Sequence, residues 1–267
     1  MDSWNNKKYW NRLASEISND KQLGRALPDD APEFIVKWVS EFEKDISTYC
    51  LNDHSGLLLD AGCGNANLLM HALNLFPKKN ITYVGLDFSK KMLERGIAQV
   101  KNNSNALLLQ GSISKLPFND NVFDRIVCNG VITCLESVEE LKETLKEFHR
   151  VIKPGGIMII DIFNRFMPKI IAKSIIWGRI SPRSTKYISP IWIKKRLKVT
   201  QFDILSYRGY DFRPTAGYMT YRSIFKFLNP GFFQEKISTF IERELVPRMP
   251  FLNLFGSRIY IKCKALK

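Results

Sequence analysis

Leu57-Leu58-Leu59-Asp60-Ala61-Gly62-Cys63-Gly64-Asn65-Ala66-Asn67-Leu68-Leu69 joins an uninterrupted apolar run to a glycine turn and then to the start of a new apolar period. Three consecutive leucines suit a strand covered on both faces, as in a parallel sheet. Gly62 and Gly64 let the backbone turn sharply and approach a ligand closely, because nothing projects from their Cα atoms. Asp60 ends the strand beside that ligand. Strand, glycine turn and helix in this order form the generic arrangement for a nucleotide-like group.

Downstream of this stretch, strand and helix patterns alternate regularly. The expected elements are strand 57–61, helix 66–76, strand 81–87, helix 89–101, strand 106–110, strand 122–129, helix 137–152 and strand 156–163. Alternation of this kind predicts an α/β fold with a mostly parallel central sheet and helices on both faces. Pro77 closes the first helix, Ser89 is a candidate N-cap for the second, and Pro154-Gly155-Gly156 makes the turn between the last helix and strand.

Upstream, residues 4–18 set Trp4, Tyr9, Trp10, Leu13 and Ile17 among Asn, Lys and Arg, the pattern of a helix lying on another surface. Such a helix is a candidate lid, although core packing explains its aromatics equally well. A second helix is expected over 34–49. Beyond Asp161 the rhythm breaks. Residues 164–216 hold 12 Lys or Arg and 2 acids, interleaved with aromatics and cut by Pro168, Pro182, Pro190 and Pro214. This reads as an inserted basic cap of short helices and loops. A helix near 219–228 and strand-like stretches near 233–243 and 256–264 follow. The expected division is therefore N-terminal helices over 1–55, a core over 56–163, the cap over 164–216, and a C-terminal helix with a strand pair over 217–267.

The chain's 267 residues, 45% hydrophobic, suffice for one large domain with an elaboration. Its five cysteines are odd in number and lack paired metal-ligand spacing, so reduced thiols in a cytoplasmic setting are expected and a metal is not. No apolar run reaches the roughly 20 residues needed to cross a bilayer, and no signal peptide is expected. The net charge of +14 is unevenly placed: residues 1–163 carry −2 and residues 164–267 carry +16. A basic face of this size is expected to meet phosphate, anionic lipid or an acidic substrate, or simply to be a soluble surface.

Dinucleotide binding wants a third glycine where Asn67 stands, and a phosphate-binding P-loop wants a Lys-Ser or Lys-Thr that is absent. Four blocks in order carry a more specific likeness: Leu59-Asp60-Ala61-Gly62-Cys63-Gly64, then Val84-Gly85-Leu86-Asp87-Phe88-Ser89 with Met92, then Leu116-Pro117-Phe118 leading to Phe123-Asp124, then Arg150-Val151-Ile152-Lys153-Pro154-Gly155-Gly156. In this order the sequence resembles the class I S-adenosylmethionine-dependent methyltransferases, especially the small-molecule and lipid group of the type 11 kind, over about residues 57–163. The fold implied is the Rossmann-like fold of that class.

The resemblance implies S-adenosyl-L-methionine as cofactor. Asp60, Gly62, Cys63 and Gly64 would lie against its methionine part, and Asp87 would accept from both ribose hydroxyls, as a carboxylate with two oxygens can. Phe88 and Met92 would flank the adenine, and Asn129, after the fourth strand, would face the reactive end. Where many relatives carry Asp for the adenine amino group, this chain has Gly111-Ser112-Ile113, and Ala66 replaces a third glycine in the loop.

Methyl transfer by in-line displacement needs alignment and exclusion of water more than acid–base groups, so no catalytic residue is singled out. His54, His71 and His149 read as ordinary surface or packed histidines, and Cys128 and Cys134 as small buried hydrophobes. The expected acceptor is small and hydrophobic or lipid-linked, approached at an anionic membrane surface. Tyr9, Trp10, Trp177 and Trp192 are the candidate acceptor contacts, within Ile175-Ile176-Trp177-Gly178-Arg179 and Ile191-Trp192-Ile193-Lys194-Lys195-Arg196 for the last two. The competing expectations are an RNA methyltransferase using the basic half and a cofactor-binding regulator without catalysis.

Overall fold

Leu57–Leu59 form the middle of strand β1 (Gly56–Ala61) in the computed structural model, which describes residues 7–23, 27, 29–31, 33–77, 80–167, 187–212 and 231–267. The other strands are β2 (Ile81–Asp87), β3 (Ala106–Gln110), β4 (Phe123–Cys128), β5 (Ile152–Phe163), β6 (Phe202–Tyr210) and β7 (Arg258–Ala265). They make one seven-stranded sheet in the order β3-β2-β1-β4-β5-β7-β6. The first five strands run parallel, and β7 inserts antiparallel between β5 and β6.

Alternation along β1 decides which side of the sheet each residue packs on. Leu59 and Ala61 join Val84, Ile126 and Ile160 in one core, under helix α6 (Val138–Val151) and helix α7 (Pro190–Val199). Leu58 joins Tyr83, Val127 and Ile159 in the other, under α3 (Glu33–Leu51), α4 (Asn67–Leu75) and α5 (Lys90–Val100). Both leucines are fully buried, each stabilising the fold by about 1.5–3 kcal/mol relative to exposure. A sheet covered on both faces explains why its central strands read as continuous apolar runs.

Local signals act where the sequence places them. The Ser89 hydroxyl accepts the Met92 N–H at 3.3 Å and caps α5, as Ser137 does for α6 from Glu140 at 3.0 Å. Lys153-Pro154-Gly155-Gly156 is looped out within β5: Phe123 pairs with Ile152, and pairing resumes at Arg125 with Ile157. At the end of the sheet opposite the Gly62 turn, Asp53 is shared by Arg125 of β4 at 2.7 Å and Lys262 of β7 at 2.6 Å. Burial acts to raise the Asp53 carboxyl, but the two cations outweigh it and hold the group well below its usual range.

Two expectations for the C-terminal third are corrected. The stretch 233–243 is not a strand: helix α8 (Gly231–Phe240) runs into a π-helical turn at Ile241–Leu245. The partner of β7 is instead β6, inside the 164–216 region expected to be cap, and α7 also packs on the sheet. The expected strand at 256–264 is present as β7. The helix expected near 219–228 and the middle of the cap lie outside the described residues.

Candidate functional site

Sheet order reverses between β1 and β4, so a crevice opens at the carboxyl ends of these neighbours, where ligands of open α/β sheets bind. The glycine turn lies on one side. Gly62 and Cys63 both donate to the Leu86 carbonyl, at 2.7 and 3.1 Å, which folds the turn back over the end of β2. Gly62 has φ +84°, and a Cβ there would lie 2.1 Å from Val131 Cγ2. Glycine is required for close approach of the β4 loop as well as for the turn. The buried Cys63 thiol points into the space left by Gly85, so the backbone of Cys63 remains for a ligand. Ala66 adopts φ +65° directly before α4.

Two buried carboxylates face this turn. Asp87 Oδ2 accepts the Gly64 N–H at 2.9 Å and Oδ1 accepts the Ser89 N–H at 2.8 Å. Burial raises its pKa, against the lowering effect of those N–H groups. Asp60 accepts the Tyr83 hydroxyl, and burial pushes its pKa up to about 7; the Tyr83 bond opposes that rise and the Asp87 charge adds to it. No cation among the described residues forms an ion pair with either carboxylate. A buried carboxylate is costly without compensation, so a ligand bringing a cation and hydroxyl donors fits this pair.

The residues expected around the adenine are brought to the same edge. Phe88 is half-buried, and its carbonyl accepts from the Gln110 side chain at 3.2 Å. Met92 is buried on α5 with its methyl toward Gly64. Gly111 donates to the Asp87 carbonyl at 2.9 Å, which sets the β3 turn beside the carboxylate. Ser112 is exposed and its hydroxyl is 2.8 Å from that of Ser114, while Ile113 is buried in the core.

Beyond β4, Asn129 Oδ1 accepts the Tyr260 hydroxyl at 2.7 Å. Next to it, Asp161 Oδ1 accepts the Gly130 N–H at 2.5 Å and Oδ2 accepts Arg258 Nε at 2.5 Å. The Arg258 guanidinium also lies over the Phe163 ring, 5.0 Å from its centroid. Asp161, Arg258 and Tyr260 thus line the β5–β7 side of the crevice, and the sequence reading does not single them out. The available signal is an Asp at the end of a core strand, facing a basic residue at the start of another.

Helix α1 (Lys7–Glu16) lies across the ligand edge. Asn11 Oδ1 accepts the Ser89 hydroxyl at 2.8 Å and the Lys91 N–H at 3.3 Å, so the helix is tied next to Asp87. Arg95 of α5 donates to the carbonyls of Ala14, Ile17 and Ser18 and pairs with Asp20 at 2.6 Å. Trp10 packs against the Ala14, Ile17, Leu23 and Met92 cluster. Tyr9 meets Trp10 edge-on, and burial raises its hydroxyl pKa, with Cys134 near enough to contribute. Both aromatics are thereby brought to the crevice. Trp192 is not: it stands on α7 with Arg196 over its ring, packed on the core at the β6 side, four strands from β1. Trp177 lies outside the described residues.

The described cysteines are free, and burial raises the thiols of Cys63, Cys128 and Cys134, the last to about 11, so none is poised as a nucleophile. His71 pairs with Glu43 at 3.3 Å, and His149 sits 3.3 Å from the Leu266 carbonyl, away from the crevice. Among the described residues no group of His, Cys, Asp and Glu has metal-holding geometry.

A Rossmann-like sheet in this order, with a glycine turn and strand-end carboxylates at the switch point, is the class I methyltransferase fold. Residues 59–160 match the family model described as a methyltransferase domain. The chain is 39% identical over 101 residues to a demethylmenaquinone methyltransferase of Staphylococcus carnosus, covering 38% of this chain and 40% of that protein. It is 33% identical over 141 residues to the protein of the same name from Listeria welshimeri, covering 51% and 55%. The chain thus spans about half the length of the curated relatives it matches. Among solved structures, geranyl diphosphate C-methyltransferase from Streptomyces coelicolor A3(2) superposes with a TM-score of 0.59 over 100% of both chains at 13% identity, a likeness of fold alone.

Proposed function

We propose that this protein is an S-adenosylmethionine-dependent methyltransferase acting on a small, lipid-linked acceptor of quinone type. The observation that carries the reading is the Asp87 carboxylate, bound to Gly64 and Ser89 through one lone pair on each oxygen. An ionised carboxylate has about four such sites, so even with the Phe88 N–H also acting on it Asp87 keeps capacity for a hydroxyl donor of a ligand. Asp60, buried and in no ion pair among the described residues, supplies the complement to an ammonium. The relatives named above support the acceptor class.

When bound, S-adenosylmethionine supplies a methyl group on a sulfonium together with its own leaving group. The residues of this chain then have to bind, align and exclude water. Gly62 to Gly64 offer backbone to the methionine part, and Asp60 holds the ammonium. Asp87 holds the ribose, while Phe88 and Met92 border the ring. Gly111, Ser112 and Ile113 close that edge, with the Ser112 hydroxyl available to the adenine amino group. Asn129, positioned by Tyr260, faces the reactive end, and α1 with Tyr9 and Trp10 covers it. The described histidines and cysteines leave catalysis to positioning, with an acceptor that loses its proton readily.

The acceptor is reached at a membrane surface by a protein of the cytoplasm. No helix among the described residues is long and apolar enough to cross a membrane. Incubation with methyl-labelled cofactor and a fractionated cell extract tests the whole reading. Label is expected in the organic-extractable quinone fraction. Label in RNA, or cofactor binding with no transfer to any fraction, overturns it.

A further inference from the structure

The two carboxylates at the glycine turn are held by different means. Asp87 is fixed by backbone, the N–H groups of Gly64 at 2.9 Å and Ser89 at 2.8 Å, which any residue except proline would supply at those positions. Asp60 is 3% exposed, and among the described residues its one donor is a side chain, the Tyr83 hydroxyl on Oδ2. A single oxygen atom of Tyr83 therefore does for Asp60 what the main chain does for Asp87.

The parallel register creates this contact. Leu58 of β1 pairs with Tyr83 of β2, and Asp60 pairs with Gly85. Side chains two residues apart on a strand share a face, so Tyr83 and Asp60 are diagonal neighbours on the same side of the sheet. Gly85 puts no side chain between them, and the Cys63 thiol takes the space it leaves. Tyr83 is fully buried in the core that holds Leu58, Leu69 and Leu93, so close packing keeps its ring and hydroxyl in place. With Oδ2 anchored to that hydroxyl, Oδ1 is the Asp60 oxygen left for a ligand.

The surroundings of Asp60 make its one donor matter. Besides Tyr83, the titratable groups that face it are Asp87 at the end of β2, Cys63 in the turn, Cys50 on α3 and Cys128 on β4, and none of these is a cation. Burial and the Asp87 charge both disfavour ionised Asp60, and the Tyr83 hydroxyl opposes them. Burial and the Asp60 charge push the Tyr83 hydroxyl itself far above its ordinary value, so it stays a proton donor near neutral pH. A hydrogen bond donated to a carboxylate is stronger than one donated to the neutral acid, so the contact favours the charged form.

We infer that Tyr83 is a positioning residue for cofactor binding: its hydroxyl pins the Asp60 carboxylate and sustains its charge for the ammonium of S-adenosylmethionine. This role rests on Asp60 as the partner of the ammonium in the function proposed above. It acts on Asp60 before any cofactor arrives, so it is measured in the free protein as well as by binding.

Tyr83→Phe removes the hydroxyl and keeps the ring in the core. In the free protein, carbon NMR with labelled aspartate follows the Asp60 carboxyl, identified by the signal lost in Asp60→Asn. Its titration is expected to move upward by about one pH unit in Tyr83→Phe. Calorimetry is expected to show S-adenosylmethionine affinity lower by roughly tenfold at about pH 6 and by only about twofold at about pH 8. A tyrosine that served packing alone would weaken binding equally at both. No loss, an equal loss at both pH values, or an Asp60 signal that titrates as in the wild type overturns the role of Tyr83 and leaves the Asp60 contact standing. An Asp60→Asn variant that binds S-adenosylmethionine as tightly as the wild type removes that contact itself, and the role of Tyr83 with it.

Discussion

Asp87 Oδ2 accepts the backbone N–H of Gly64 at 2.9 Å, so the carboxylate that ends β2 holds the turn that ends β1. The same side chain organises the protein and presents its free lone pairs to the crevice. Replacing Asp87 by Ala removes both. S-adenosylmethionine affinity should weaken by about 1.5–3 kcal/mol, or roughly 10- to 150-fold. Calorimetry that finds unchanged affinity in a folded variant removes the ribose role.

The Asp60 carboxyl, raised by burial from 3.8 to about 7, makes binding depend on pH. Its folded-state pKa lies above the unfolded one, so its contribution to stability is complete below about pH 4 and is lost as pH rises through about 7. An ammonium beside it lowers the pKa again, so binding releases a proton. Cofactor affinity is therefore expected to increase from about pH 5 to about pH 7, and Asp60→Asn should flatten the rise. Calorimetry in buffers of different ionisation enthalpy reads the proton directly, and zero release near about pH 6 counts against the assignment.

The two turn glycines should respond differently to a methyl group. At Gly62, φ +84° and Val131 Cγ2 at 2.1 Å oppose any Cβ; at Gly64, φ +53° meets only the flexible Met92 Cε at 3.1 Å. Gly62→Ala should lose about 2 kcal/mol or more and cofactor binding with it, and Gly64→Ala about 1–2 kcal/mol. Urea unfolding of both variants checks the order, and equal losses would mean that the β4 loop does not constrain Gly62.

Arg258→Met leaves the fully buried Asp161 carboxylate without its cation and should destabilise the fold by about 3–5 kcal/mol. Adding Asp161→Asn removes the stranded charge and should recover much of that loss. Denaturant titration of the two single variants and the double variant gives the coupling; simple additivity would mean the pair contributes nothing.

The first five strands and their helices are legible because each is a local pattern: apolar runs, a glycine turn at Gly62, a Ser89 cap. Asp60 and Asp87 are legible for the same reason, since each ends such a strand. Arg258 and Tyr260 are different. Their meaning arises from β7 entering antiparallel between β5 and β6, a pairing with β5 across about a hundred residues that no local spacing records. Phe202 to Tyr210 carry Asp and Arg among their apolar residues and so read as cap, although β7 supplies them a partner. The 233–243 stretch mixes apolar and polar residues at both spacings, and its tertiary setting decides for a helix. Trp192 falls among the candidate acceptor contacts by composition alone, whereas its helix serves the far side of the sheet.

The clasp at Asp53 has a mechanical consequence. By gripping β4 through Arg125 and β7 through Lys262, it fastens the base of the strands that diverge at the crevice. The approach to β1 is thereby held to β4 at the end away from the Gly62 turn, while among the described residues no ion pair joins β1 to β4 at the carboxyl ends, where the crevice opens.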